Sequence, residues 1–147
     1  MTANANSAND PSQPMAAADG DHYYFDEGNL IDPNDDIRRL AIIEISKRRM
    51  TELEDRLIHC LESTEKSEAN RRHIVRALGN IGSSKSIGII RATLEKSDSL
   101  IAGEAAEALA KLGDKSALAT IMRLVDSPIQ FVASKAKWAA DKLKETG

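Results

Sequence analysis

Three segments decide how this chain folds: residues 71–82 read RRHIVRALGNIG, residues 102–113 read AGEAAEALAKLG, and residues 133–144 read ASKAKWAADKLK. Each begins 31 residues after the one before it, and apolar residues occupy the same places in all three. Those places are held by Ile74, Ala77, Leu78 and Ile81, then by Ala105, Ala108, Leu109 and Leu112, and finally by Ala136, Ala139, Ala140 and Leu143. A fixed period of this length indicates a solenoid, in which stacked copies of one unit bury a continuous core.

The spacing of apolar residues within each repeat predicts a pair of helices. The predicted first helices cover 36–49, 69–81 and 99–112, the second helices cover 51–61, 85–95 and 115–126, and a single last helix covers 127–145. Gly82 and Gly113 stand just after the last apolar residue of a first helix, where a left-handed residue is favoured. Ser83 and Asp114 follow them and are suited to cap the next helix. The sequence therefore predicts an all-α, right-handed α-solenoid of about seven helices.

The N-terminal segment has a different composition from the repeats. Residues 1–36 hold eight acidic residues and no Lys or Arg, which leaves 20 basic and 15 acidic residues for the rest of the chain. Tyr23, Tyr24 and Phe25 stand side by side within this segment and are three of the five aromatic residues in the protein. We predict a disordered acidic tail over 1–34 and a solenoid over 35–147. The aromatic residues either fold back as a cap over the first helix pair or anchor a partner.

Arginines also recur with the repeat. Arg38 and Arg39 are followed 33 residues later by Arg71 and Arg72, and Arg76 lies one helical turn further on. Stacked repeats would align these five residues, which we name the arginine stripe. They either pair with acids of neighbouring repeats or dock an acidic protein surface. A nucleic-acid interface is disfavoured because no aromatic residues alternate with the arginines and the excess of positive charge is small.

Two further features suggest contact with a partner. If the second helices line the concave face, equivalent positions on it are Asp55, Gly88 and Ala119, with His59, Ala92 and Arg123 beside them. Gly88 inside a helix indicates close packing with a neighbouring helix or close approach of a partner, since glycine costs about 1 kcal/mol there. Trp138 takes the place of Glu107 in the last helix and either ends the stack or meets a partner. The predicted partner-binding residues are thus Tyr23, Tyr24, Phe25, Arg38, Arg39, Arg71, Arg72, Arg76, His59, Arg123 and Trp138.

We find no catalytic constellation in the sequence and predict no cofactor and no metal. Cys60 is the only cysteine, so no intramolecular disulfide can form, which is typical of a reducing compartment. Its neighbour His59 points about 100° away around the helix, and the two are not placed to share a metal. No apolar run is long enough to span a membrane and no signal peptide is visible. The sequence therefore predicts a cytoplasmic protein.

Residues 71–82 and 105–117 resemble short HEAT-like repeats of the type first described in phycobilisome lyases, the cyanobacterial proteins that attach bilins to phycobiliproteins. That repeat has an arginine near the start of its first helix, then Ala-Leu-Gly, then Gly-Asp before the second helix. The resemblance covers about residues 36–145, and the first pair departs from it because Glu44 stands where Ala77 stands in the next. It implies a scaffold that binds a phycobiliprotein or another phycobilisome component, and reaches thylakoid membranes only through that partner. The alternatives are a bilin lyase or lyase subunit and a nucleic-acid-binding repeat protein.

Overall fold

The computed structural model describes residues 25–96 and 99–145, and in this part of the chain it contains seven α-helices and no strand. The first helices of the pairs are α1 (Asp35–Arg48), α3 (Glu68–Ile81) and α5 (Leu100–Lys111), and the last helix is α7 (Gln130–Glu145). The second helices are α2 (Glu54–His59), α4 (Ile87–Lys96) and α6 (Leu118–Leu124). A 3₁₀ turn precedes each second helix, and a π-helical turn over Cys60–Thr64 extends α2. The predicted all-α solenoid is confirmed.

The turns between the helices follow the predicted chemistry. Gly82 and Gly113 adopt φ angles of 80° and 75°, in the left-handed region that ends a helix. Ser83 and Asp114 accept hydrogen bonds from the backbone two residues ahead, and so cap the turns that open α4 and α6. Arg49 ends α1 with a φ of 49°, at the place that glycine takes in the next two pairs. The degenerate first pair thus keeps the geometry of the repeat with a less suitable residue.

The last helix begins later than predicted. The sequence predicts it over residues 127–145, but α7 begins at Gln130, after Pro128. The Ser127 hydroxyl accepts a hydrogen bond from the Ile129 N–H at 3.1 Å, so Ser127 closes a turn instead of capping the helix directly. The proline therefore lies in the connection between α6 and α7.

The helices lie in two unequal rows. The first helices pack directly on one another in the order α1, α3, α5 and α7, whereas each second helix packs mainly on the first helix that follows it. Small residues allow the close contacts between first helices: Gly79 of α3 lies against Ala108 of α5, and Gly103 of α5 lies against Phe131 and Val132 of α7. The buried core is made mainly of Ala, Ile and Leu from these helices.

The folded part of the chain begins earlier than the predicted boundary at residue 35. Glu27–Ile31 form a 3₁₀ helix that packs on α1, and the Leu30 side chain within it is only 3% exposed. Phe25 packs against the same core and is partly buried. The sequence interpretation missed this segment because a single buried leucine in an acidic stretch carries no periodic signal. Residues 1–24, with Tyr23 and Tyr24, lie outside the described residues.

Substituting Gly79 with alanine is expected to destabilise the protein by about 1–3 kcal/mol because it overpacks the contact between α3 and α5. An added Cβ would lie 2.9 Å from the Ala108 Cβ and 3.0 Å from the Ala108 Cα, so the backbone of one helix would have to move. Urea denaturation followed by circular dichroism measures the change in the free energy of unfolding.

Gly88 offers a matched control for that substitution. A Cβ at Gly88 would meet no atom within 4 Å, so alanine there should stabilise α4 by roughly 0.5–1 kcal/mol through helix propensity. The double variant G79A/A108G should recover little of the loss, because the Ala108 Cα would still lie 3.0 Å from the added Cβ and a glycine within α5 itself costs about 1 kcal/mol. Equal effects of G79A and G88A would show that the close approach of α3 and α5 does not limit stability.

Candidate partner-binding surface

The outward side of the first helices presents three repeating positions, each filled by one residue from every first helix. We define the first-helix face by these twelve residues: Leu40, His73, Glu104 and Lys135; Ile43, Arg76, Glu107 and Trp138; and Lys47, Asn80, Lys111 and Lys142. Because the first helices pack side by side, the members of each position form a row across the stack. The residue types change along every row, so the face varies from one end of the solenoid to the other.

Ion pairs connect neighbouring helices in the middle of this face. Glu104 is buried, with 1% of its side chain exposed, and it accepts hydrogen bonds from Arg76 Nη2 at 2.6 Å and Arg72 Nη2 at 3.5 Å. The Arg72 guanidinium also lies 5.0 Å from the ring centroid of Phe131, in a cation–π contact. Between the next two helices of the row, Lys135 of α7 forms an ion pair with Glu107 of α5 at 2.7 Å. These contacts join α3, α5 and α7.

Arg38 forms the other buried ion pair, at the first helix pair. Its Nε and Nη2 donate to the two carboxylate oxygens of Glu65, both at 2.9 Å, and its Nη1 donates to the Asp32 carbonyl at 2.8 Å. The Glu65 side chain is only 2% exposed and also accepts the Ser67 N–H. Arg38 therefore joins the N-terminal segment, α1 and the loop that leads into α3. Asp35, one turn before it, forms a further ion pair with the same guanidinium.

Burial and hydrogen bonding shift the pKa values of Glu65 and Arg38 in opposite directions. Burial raises the pKa of Glu65, but the hydrogen bonds from Arg38 and from the Ser67 N–H outweigh it, so the pKa of Glu65 lies below its ordinary value. The hydrogen bond to Glu65 likewise raises the pKa of Arg38. Both groups are therefore charged across the neutral pH range.

The other members of the arginine stripe are also bound within the chain. Arg39 Nε donates to Asn70 Oδ1 at 2.8 Å, and the Asn70 amide in turn donates to the Asp35 carbonyl at 3.0 Å. Arg71 Nη1 donates to the Leu61 carbonyl at 2.8 Å. Three arginines of the stripe thus pair with acids of neighbouring repeats, as one of the two interpretations predicts: Arg38, Arg72 and Arg76. Arg39 and Arg71 instead bind a neutral amide and a backbone carbonyl across the repeats. A role for Arg38, Arg39, Arg71, Arg72 and Arg76 in partner binding stays a prediction.

Sequence reasoning did not single out the partners of these arginines. Glu65 and Glu104 lie 27 and 28 residues after the arginines that bind them most closely, and Asn70 lies 31 residues after Arg39. One signal was present for Glu104, because it stands in the otherwise apolar run 101–106 of a helix whose neighbours are Ala, Gly and Ile. A carboxylate in such a run must find a cation when it is buried.

A shallow pocket of about 270 Å³ opens on the first-helix face between α1 and α3. It is lined by Ile43, Ser46, Lys47, His73, Arg76 and Asn80. Burial lowers the pKa of His73, and the charges of Arg76 and Arg39 lower it further, so the imidazole is neutral at pH 7. The Asn80 amide donates to Ser46 Oγ at 2.8 Å and holds one wall in place. The pocket therefore has an apolar interior and a basic rim.

The remaining predicted positions lie apart from this face. His59 and Arg123 are exposed on the second helices, and Arg123 donates to Thr120 Oγ1 within its own helix. The close-packing interpretation of Gly88 is wrong, since no neighbouring helix comes within 4 Å of the place its Cβ would take. Cys60 is buried in the core.

Trp138 is 44% exposed near the C-terminal end of the stack, and Lys142 Nζ lies 5.7 Å from its ring centroid. The side of α7 that a further repeat would cover carries Ser134, Lys137 and Asp141, whereas α5 has Gly103, Ala106 and Ala110 at the equivalent positions. All three residues of α7 are exposed and polar, so this side of α7 is suited to face solvent.

Residues 25–96 and 99–145 contain neither a metal-binding cluster nor a helix that could span a membrane. No group of three or more His, Cys, Asp or Glu side chains is arranged to hold a metal ion there. In the same residues, no helix combines the length and the apolar character that crossing a membrane requires.

Helix pairs that stack through their first helices, with hydrogen bonds and ion pairs connecting one pair to the next, define an α-solenoid repeat protein. The family model described as HEAT repeats matches residues 29–99 and 61–141, so the chain belongs to the HEAT-repeat family. Among solved structures, the complex of CpcE and CpcF of phycocyanin lyase from Nostoc sp. PCC7120 is similar, with a TM-score of 0.59 and 21% sequence identity. No curated protein matches the sequence significantly.

The likeness to the lyase complex covers 80% of this chain and 63% of the other chain. The matched part thus spans less than two thirds of the length of that relative, and at 21% identity the likeness establishes the fold alone. The predicted resemblance to HEAT-like repeats of the phycobilisome-lyase type is confirmed at this level.

Proposed function

We propose that this protein is a non-catalytic interaction module that holds a phycobiliprotein, such as phycocyanin, during assembly or turnover of the phycobilisome. The observation that carries the proposal is that two buried carboxylates of the described residues pair with arginines and connect neighbouring helices. The buried acid Glu65 is bound by Arg38, and the buried acid Glu104 is bound by Arg72 and Arg76; these ion pairs join neighbouring helices. These groups hold the solenoid together and leave its faces for binding.

The setting of the proposal rests on the resemblance in sequence and on the solved relative. That relative is a lyase for phycocyanin and was solved as a complex of two proteins. A repeat solenoid of the same type is suited to present an extended surface to a folded partner. In this proposal the chain works in the cytoplasm and reaches thylakoid membranes through the protein it holds.

Purified phycocyanin tests the proposal directly. We expect sedimentation velocity, followed at the visible absorption of the bilin, to show a complex with a dissociation constant of about 0.1–10 μM, or about 7–10 kcal/mol of binding free energy. Serum albumin, which is also acidic, serves as the control and should remain unbound. Sedimentation of phycocyanin unchanged by the protein at high micromolar concentrations would contradict the proposal.

A lyase subunit is the second candidate, since the solved relative is part of a lyase. Such a subunit should bind free bilin, and the absorption spectrum of the bilin should then change on mixing. The interaction module should leave that spectrum unchanged and still bind phycocyanin that already carries its bilins. The bilin spectrum therefore separates the candidates, because a lyase subunit should change it and the interaction module should not.

A further inference from the structure

Three lysines of the first-helix face occupy equivalent positions near the C-terminal ends of their helices. They are Lys47 of α1, Lys111 of α5 and Lys142 of α7, and Asn80 takes the same position in α3. Neighbouring packed helices lie about 8–10 Å apart, so the row extends for roughly 25–30 Å across the stack. A row of this length matches the width of a protein–protein contact rather than a site for one small ion.

These lysines differ from the other basic residues of the face in their partners. Lys111 Nζ donates to the neutral Asn80 side chain at 3.1 Å, and Lys142 lies over the Trp138 ring. Lys47 has only Glu44, at 3.9 Å, and that carboxylate already binds Arg48 at 2.5 Å. Among the described residues, then, neither Lys111 nor Lys142 has a carboxylate within ion-pair distance. Their charge is available to an external acid.

Apolar groups accompany these lysines. Leu40 and Trp138 are two of the five large hydrophobic side chains exposed in the described residues, and they lie at opposite ends of the face. Ile43 lines the pocket between α1 and α3, next to Lys47. That pocket is slightly smaller than the roughly 300–1,000 Å³ of sites that enclose small molecules, and it suits one protruding side chain of a partner.

Two other occupants fit this face less well. A nucleic-acid backbone carries a phosphate at every nucleotide, so some phosphates would lie close to Glu44 and Glu107 among the lysines and be repelled. A second copy of the chain, placed face to face, would set lysines against lysines and lose stability through repulsion. An acidic protein surface avoids both problems, because carboxylates at separate points can meet the lysines while apolar residues fill the pocket.

We propose that the first-helix face, and not the row of second helices, docks an acidic protein surface. The carboxylates of that partner bind Lys47, Lys111 and Lys142, an apolar side chain enters the pocket beside Ile43, and Trp138 packs against the partner at the far end. The inference deepens the proposed function, because it names the face that is used and the chemistry that it recognises.

Trp138 makes occupancy of this face directly measurable, since it is the only tryptophan in the protein. The probe is a short synthetic peptide of glutamate and leucine without aromatic residues, titrated into the full chain while tryptophan emission is recorded. The same peptide with lysine in place of glutamate serves as the control. We expect saturable change with the acidic peptide and none with the basic one. No saturable change with the acidic peptide would overturn the inference.

A pair of triple variants then locates the contact. K47E/K111E/K142E reverses the proposed row, whereas K96E/K115E/R123E reverses three exposed basic residues of the second helices and gives the same net charge. We expect the first to weaken peptide binding roughly tenfold or more, because three attractions become repulsions, and the second to change it less than about twofold. Equal losses in both variants would overturn the inference. The milder K47Q/K111Q/K142Q replaces the first variant if that one unfolds.

The outcomes separate this inference from the proposed function. If phycocyanin does not bind but the peptide binds through the three lysines, the proposed partner is wrong and the assigned face stands. If phycocyanin binds equally well to both triple variants, the proposed function stands and the assigned face is wrong. Duplex DNA is titrated in parallel, and tighter binding of DNA than of the peptide to the same lysines would overturn the choice of an acidic protein.

Discussion

Replacing Arg38 with alanine is expected to destabilise the protein by about 3–5 kcal/mol, the usual cost of leaving one member of a buried ion pair without its partner. The substitution removes both hydrogen bonds to Glu65, whose side chain is 2% exposed, and the bond to the Asp32 carbonyl. It therefore strands a buried carboxylate and loosens the N-terminal segment at the same time. Urea denaturation of the full chain at pH 7 measures the loss.

Two comparisons make that prediction specific. Arg56 pairs with Glu27 where both side chains are exposed, so R56A should cost less than about 1 kcal/mol. The double variant R38M/E65L removes both charges and should regain most of the stability lost in R38A. A loss below about 1 kcal/mol in R38A would mean that the buried pair contributes no more than a surface pair.

The pH dependence follows from the lowered pKa of Glu65 in the folded chain. Because this pKa lies below the ordinary value of 4.5, the contribution of Glu65 to stability is complete above that pH. It is lost as the pH falls through the folded pKa, where the carboxylate takes up a proton. The difference in unfolding free energy between the natural chain and E65Q should therefore be constant from pH 5 to 7 and shrink below pH 4.5.

The second large effect is expected from the double variant R72A/R76A, which leaves Glu104 buried without a cation. Glu104 is 1% exposed, so the loss should again be about 3–5 kcal/mol. The single variant R76A should cost clearly less, since Arg72 remains at 3.5 Å and can move closer. Measurement of the unfolding free energy of both single variants and the double variant gives the coupling between the two arginines.

A rescue experiment checks the cause of that loss. Adding E104Q to R72A/R76A removes the buried charge and should restore a large part of the stability, because a neutral amide costs less to bury than a carboxylate. If E104Q brings no recovery, the loss comes from the packing of Arg72 on Phe131 and not from the charge. Comparison with R72M, which removes the guanidinium over the ring but keeps an unbranched apolar side chain there, then decides that point.

Much of the fold could be predicted because its signals are local. The helix faces, the glycine at each left-handed helix end and the caps at Ser83 and Asp114 depend on residues only a few positions apart. The repeat made those signals stronger, since Gly82 and Gly113 indicate the same left-handed helix end in two successive repeats. The local signals placed the start of the last helix too early, because a turn at Pro128 precedes it. They also gave no sign that Leu30 packs the segment before α1 onto the core.

The candidate surface was predicted less completely, because its contacts join residues that are far apart in the chain. The arginine stripe was visible in the sequence, but its partners Glu65, Asn70 and Glu104 were not, and without them the stripe resembled a free basic surface. Gly88 was misread for the same reason: nothing in the sequence tells whether a second helix has a neighbour over a given residue.

The sequence by itself determined that this protein is a solenoid, because a 31-residue period of small and apolar residues leaves the helices no other way to bury their faces. Only the tertiary structure decided which charges remain available for a partner. Packing brings Glu104 beneath Arg72 and Arg76 and Glu65 against Arg38, and so pairs these arginines with buried carboxylates. The same packing places Lys111 beside the neutral Asn80 side chain of the neighbouring helix α3, whereas Lys142 lies over the ring of Trp138, one turn earlier in its own helix.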